Sequence, residues 1–85
     1  MTPLLAIDPG TTHSGYVVID ADGVQLSGVV ENSELFELIA AHGSNIAIEM
    51  IASYGMAVGR EVFETCLWIG RFIQAAGPDR VRLLS

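Results

Sequence analysis

The sequence predicts an α/β domain on a mixed five-stranded sheet of order 3-2-1-4-5, with the second strand antiparallel to the first. Three observations predict it. Short β-rich runs joined by turn-forming residues fill the first third of the chain, the pattern of an antiparallel meander. Two segments with helical spacing then alternate with two further apolar runs, as strand–helix–strand crossovers require. Finally, the first and fourth apolar runs each end in a carboxylate, Asp8 and Glu49.

The first strand is expected from Leu4 to Asp8, where Pro9 and Gly10 end the ladder. The second runs from Ser14 to Ile19 through the β-rich Tyr16-Val17-Val18-Ile19. Asp20-Ala21-Asp22-Gly23 is a hairpin turn, because Asp and Gly tolerate the positive φ such turns need. A third strand follows from Val24 to Val30. Asn32 or Ser33 is placed to cap a helix whose first turn carries Glu34 and Glu37, complementing the dipole. Leu35, Leu38, Ile39 and His42 share one face of that helix, with His42 near its negative end and Gly43 at the stop. Asn45 to Glu49 forms strand four, which the intervening helix allows to run parallel to strand one. After a loop holding Gly55 and Gly59, a second helix is expected over Arg60–Ala76. Its predicted core stripe is Val62, Cys66, Ile69 and Ile73, which leaves Trp68 and Phe72 off the stripe, beside Glu61 and Glu64. Gly77-Pro78 stops it, and Arg80 to Leu84 is a fifth strand.

At 85 residues the chain makes one small domain. A domain of this size buries roughly 60–65% of its unfolded surface, which leaves a marginal core. A hydrophobic fraction of 51% is high for such a chain. It implies strands buried on both faces, or an apolar surface completed by something outside these residues. The chain has no apolar run long enough for a membrane span and no basic-then-apolar leader, so a cytoplasmic protein is expected. The single cysteine, Cys66, excludes an internal disulfide and a cysteine-based zinc site, and reads as core. A net charge of −6 argues against a general nucleic-acid binder, which carries a basic footprint. All four basic residues are arginines in the last third: Arg60, Arg71, Arg80 and Arg82.

Asp8-Pro9-Gly10-Thr11-Thr12 is the stretch that carries chemistry. The run Leu4–Ile7 delivers a carboxylate into the sheet core, and Thr11, Thr12 and Ser14 bring hydroxyls close to it. A buried carboxylate is costly unless it is paired or coordinates a metal. Asp before Pro-Gly also opens turns, but Glu49 at the end of strand four points toward a metal. If strands one and four pair, the two carboxylates stand about 4.8 Å apart, suited to sharing a cation. Hard oxygen ligands with retained waters fit Mg²⁺, with Mn²⁺ as a substitute.

The meander followed by crossovers, with acids ending strands one and four, resembles the ribonuclease-H-like fold. Within it, Ala6-Ile7-Asp8-Pro9-Gly10-Thr11-Thr12 with Gly15-Tyr16-Val17-Val18-Ile19 resembles the opening of the RuvC-type Holliday junction resolvases, and Ile46-Ala47-Ile48-Glu49 their second acidic motif. Ser53 to Thr65 is most similar to bacteriophage-encoded members. The resemblance covers essentially the whole chain and implies a Mg²⁺-dependent endonuclease acting on four-way DNA junctions in recombination. It implies that Asp8 bridges two ions, roughly 3.5–4 Å apart in two-metal hydrolysis, and that Glu49 binds one. Such nucleases add one or two acids from a later C-terminal helix. Residues 1–85 therefore read as a single incomplete domain, truncated after strand five, whose remaining aspartates Asp20, Asp22 and Asp79 sit in turns.

Candidate DNA contacts are Gly10, Thr11, Thr12, Tyr54 and Arg60. The Gly10 turn and the two threonines serve either phosphate binding or a structural turn. Tyr54 either stacks on an unpaired base, worth roughly 1–3 kcal/mol, or packs its loop. Arg60 either meets phosphate or pairs with Glu64 one turn on. His13 is expected to be a solvated turn residue. Resolvases of this type act as two-fold dimers, and Trp68 with Phe72 is expected to line a homodimer contact; the alternative is that both pack under the missing C-terminal helix. Two further readings stand beside the nuclease. An actin/Hsp70-type ATPase shares an Asp-x-Gly-Thr-Thr phosphate loop but needs a second domain. An incomplete copy would bind DNA or a partner without cutting.

Overall fold

The computed structural model describes residues 2–50 and 59–85. Among them the order of elements is β1 (Leu4–Asp8), β2 (His13–Asp20), β3 (Gly23–Glu31), α1 (Asn32–His42), β4 (Ile46–Glu49), α2 (Arg60–Ala76), a 3₁₀ turn (Pro78–Arg80) and β5 (Val81–Leu84). The sheet order is β3-β2-β1-β4-β5, as the sequence predicts. β2 pairs antiparallel with β1 and β3, whereas β4 runs parallel to β1 and β5. This is the mixed sheet of the ribonuclease-H-like fold. No described helix is long and apolar enough to cross a membrane.

Local chemistry sets the elements. In the β2–β3 turn, Asp20 Oδ1 accepts hydrogen bonds from the Asp22 amide at 2.8 Å and from Gln25 Nε2 at 2.9 Å. Gly23 there takes φ +108°, open to glycine and strained for other residues. α1 ends at Gly43, whose amide donates to the Ile39 carbonyl at 2.8 Å. The chain then returns as β4 beside β1, since a helical crossover lets the two strands run parallel.

Both helices lie on one face of the sheet. Leu5 and Ile7 of β1, Val18 of β2, and Ile46 and Ile48 of β4 meet Leu35 and Ile39 of α1 and Ile69 and Phe72 of α2. Side chains alternate along a strand, so Ala6, Asp8, Val17, Ala47 and Glu49 point to the opposite face. Among the described residues no element covers that second face. Of the two explanations for the high apolar content, burial of the strands on both faces is therefore not the one seen.

Two sequence expectations are corrected here. The core stripe of α2 is centred on Thr65, Ile69 and Phe72, with Val62, Cys66 and Ile73 only half-buried beside it. Phe72 is fully buried rather than exposed on the acidic side. Its ring centroid lies 5.4 Å from that of Phe36 on α1 and 5.9 Å from that of Trp68. Trp68 is half-buried against Phe36 at 6.2 Å, and the Arg71 guanidinium sits 4.7 Å from the Trp68 ring centroid. Such aromatic pairs contribute about 0.5–1.5 kcal/mol each beyond the area they bury. A homodimer contact through Phe72 therefore loses its premise, and both aromatics pack against Phe36 of α1. The large apolar side chains that α2 does expose are Phe63, at 63%, and Leu67, at 61%.

The second correction is at the start of α1. Neither Asn32 nor Ser33 caps it: the N-cap position is Glu31, which makes no side-chain capping bond. Asn32 is the first helical residue, and its side chain is turned inward instead.

Candidate metal centre

Asp8 is the last residue of β1 and Glu49 the last of β4. Ala6 pairs with Ala47 and Ile7 with Ile48 in the parallel ladder. One step further, the two acids fall on neighbouring strands and the same face, at the roughly 4.8 Å strand spacing. They line one open concavity of about 520 Å³, with Gly15, Val17, Val29, Ala47 and Leu84 around them. Gly15 stands opposite Asp8 in the antiparallel ladder. A Cβ there would sit 3.7 Å from the Asp8 Cβ, so glycine leaves room beside the carboxylate.

Both acids are exposed. That corrects the expectation of a carboxylate buried in the core, because Asp8 closes its strand on the uncovered face. Neither acid belongs to an ion pair among the described residues, where Arg60–Glu64 is the single one. Two like charges at strand spacing repel by about 1 kcal/mol even in water-like surroundings. A divalent cation relieves that repulsion, and oxygen ligands on an open, hydrated face suit Mg²⁺ or Mn²⁺. The donor set thus fits the ion but is small: no group of three or more acidic, histidine or cysteine side chains occurs among the described residues.

Gly10, Thr11 and Thr12 do not border the concavity of the carboxylates. Gly10 and Thr11 lie against the first turns of α2, beside Glu61, Val62 and Thr65. Thr12 sits with His13, Glu31 and Trp68, and its hydroxyl is 3.0 Å from His13 Nδ1. The Ser14 hydroxyl is buried on the helix face and bonds Asn32. The hydroxyls expected near Asp8 are therefore on the other side of the loop. His13 is exposed, as anticipated. Arg60 donates from Nε to Glu64 Oε1 at 2.7 Å while its side chain stays 91% exposed. An exposed pair of this kind contributes a few tenths of a kcal/mol. Tyr54, with most of the phage-like stretch, lies outside the described residues.

Gly10 has a strict steric role. A Cβ added there would collide with the carbonyl oxygen of His13. Gly10→Ala is expected to cost about 1–3 kcal/mol in chemical denaturation, because the loop has to open to admit the methyl group.

Sequence reasoning missed Gly15 and the inward role of Asn32. The first had a signal, since it directly follows Ser14 in a strand otherwise rich in large residues. The second had none, because an Asn before a helix reads as a cap.

No protein-family profile and no curated protein sequence matches the chain. Solved structures do resemble it. One is RuvC of Thermus thermophilus in complex with a Holliday junction substrate, with a TM-score of 0.72 and 17% identity over 98% of this chain and 62% of that one. Another is a Thermus thermophilus RuvC structure, with a TM-score of 0.69 and 17% identity over 95% of this chain and 61% of that one. The chain thus spans under two thirds of the length of these RuvC chains. At this identity the likeness establishes a RuvC-like fold.

Proposed function

We propose that these residues supply the cation-binding part of a RuvC-like endonuclease that acts on branched DNA, four-way junctions above all. The observation that carries the reading is the placement of Asp8 and Glu49 on one uncovered face, at the ends of adjacent parallel strands, in a fold shared with a resolvase. Asp8 and Glu49 hold Mg²⁺, or Mn²⁺ in its place. The bound ion supplies Lewis-acid activation of water and stabilisation of the leaving oxygen. The two carboxylates fix where it sits relative to a phosphodiester crossing the open face. Thr11 and Thr12, on the far side of the loop, serve backbone phosphates outside the cleavage point, with the exposed Arg60; the Gly10 amide already donates to Ser14 Oγ and is spent inside the protein.

Two carboxylates are few for a two-ion site. The reading therefore includes further acids from polypeptide outside these 85 residues, brought in on an element that covers Ala6, Val17, Val29, Ala47 and Leu84. The same shortage favours a second reading, in which the 85-residue chain binds junctions without cutting. Incubating it with a four-way junction and a duplex of the same sequence in Mg²⁺ distinguishes the two. Selective junction cleavage that Asp8→Asn abolishes supports the nuclease. Selective binding without cleavage supports the second reading. Equal and weak affinity for both DNAs removes both.

A two-fold junction suits a two-fold protein, and the exposed Phe63 and Leu67 of α2 are the residues to carry a homodimer contact. Leu67→Glu is expected to shift sedimentation from dimer to monomer with little change in unfolding. An unchanged species places the contact elsewhere.

A further inference from the structure

We propose that Ser14 and Asn32 are positioning residues for the carboxylate site, acting through the loop that follows Asp8. Each is 1% exposed. Their side chains close a ring of hydrogen bonds with Gly10. The Gly10 amide donates to Ser14 Oγ at 3.2 Å, Ser14 donates to Asn32 Oδ1 at 2.6 Å, and Asn32 Nδ2 donates to the Gly10 carbonyl at 2.9 Å. The Asn32 amide donates in turn to the Thr12 carbonyl at 2.8 Å. The loop is thus tied at both polar groups of Gly10 and again at Thr12. The ties come from two elements, β2 and the first turn of α1.

The energetics argue that the ring serves geometry. An apolar pair would fill the same interior but strip the Gly10 N–H and carbonyl of these partners. A buried polar pair stabilises only when every group has a partner. Here every one does: no buried side-chain polar atom among the described residues lacks a partner. A fully satisfied network of this kind rigidifies what it touches. What it touches is the turn two residues beyond Asp8, where β1 has ended and the ladder no longer holds the chain. Asp8 stands at that end, exposed, with the glycine gap of Gly15 at its side and, among the described residues, no cationic partner to orient it. The ring is the fixed point from which its backbone is set.

The proposal rests on the cation-site reading, and its test keeps the two apart. Three variants are compared with the parent: Ser14→Ala, Ser14→Thr and Asn32→Ala. Mn²⁺ affinity is measured by titration at a temperature where thermal melts show each protein folded. Amide hydrogen exchange at Gly10 and Asn32 is followed by NMR. Ser14→Ala and Asn32→Ala are expected to speed exchange at Gly10 and to weaken Mn²⁺ binding roughly tenfold, the scale of outer-shell losses at metal sites. Ser14→Thr keeps the hydroxyl and is expected to restore both. A role confined to core packing would lower the melting temperature and leave Mn²⁺ affinity at the parent value in the folded protein. That result overturns the proposal even if Gly10 exchange is faster. A parent chain without Mn²⁺ affinity overturns the cation-site reading and this role with it, and differs visibly from the first failure because no variant then has an affinity to lose.

Discussion

Replacing Phe72 with alanine is expected to cost about 3–5 kcal/mol, the range for truncating a buried aromatic. Stability of whole domains is typically only about 5–15 kcal/mol, and a domain this small stands near the lower end. Phe72 is fully buried, joins α2 to α1 through Phe36, and belongs to the same buried core as Leu5, Ile7 and Ile48 of the sheet. Removing its ring opens a cavity where three elements meet. Phe63→Ala, on the exposed side of the same helix, is expected to fall within about 0.5 kcal/mol of the parent at concentrations where the protein is monomeric. Urea unfolding of both variants measures the difference. The opposite ranking would mean that α2 is rotated on the sheet, with its core on the Val62–Ile73 side.

The second large effect is at Asp8, where stability and cation binding should move in opposite directions. Asp8→Asn keeps the shape of the side chain and removes one of two like charges at strand spacing. In chelator the variant is expected to match or exceed the parent in stability, by up to about 1 kcal/mol. With excess Mg²⁺ or Mn²⁺ the parent should gain stability as the ion binds the folded state; at a hundredfold excess over Kd that gain is about 2.7 kcal/mol. The variant should gain little. Thermal melts with and without the ion therefore cross over between parent and variant. Parallel curves would make Asp8 a turn residue with no cation to hold. Glu49→Gln is expected to behave in the same way, since the two carboxylates share one concavity.

Much of this was legible from the residues because local signals and global topology agree. Asp20 and Gly23 at the first hairpin, the helix between β3 and β4, and apolar runs of strand length fix the order of the sheet almost by themselves. The placing of Asp8 and Glu49 on neighbouring strand ends follows from that order, because parallel strands of matched register end together. What was not legible depended on partners far away in sequence. Along α2 two apolar stripes overlap, one through Val62, Cys66, Ile69 and Ile73 and one through Thr65, Ile69 and Phe72. Periodicity alone cannot choose between stripes that share Ile69. Phe36 chooses, by stacking with Trp68 and Phe72. The side of the sheet left open was equally hidden, since β1 alternates between apolar and small residues that suit either cover or solvent. Asn32 was misread for the same reason: its partners, Gly10 and Ser14, lie far back along the chain.

Paramagnetic broadening by Mn²⁺ tests the central claim most directly. Substoichiometric Mn²⁺ added to isotopically labelled protein erases amide signals close to wherever the ion sits. Asp8 and Glu49 as a shared cation site predict losses centred on Asp8, Gly15, Glu49 and Leu84, all of which border the same concavity, and their disappearance in Asp8→Asn. Uniform weak broadening, or losses centred on the Asp20–Asp22 turn, would contradict it.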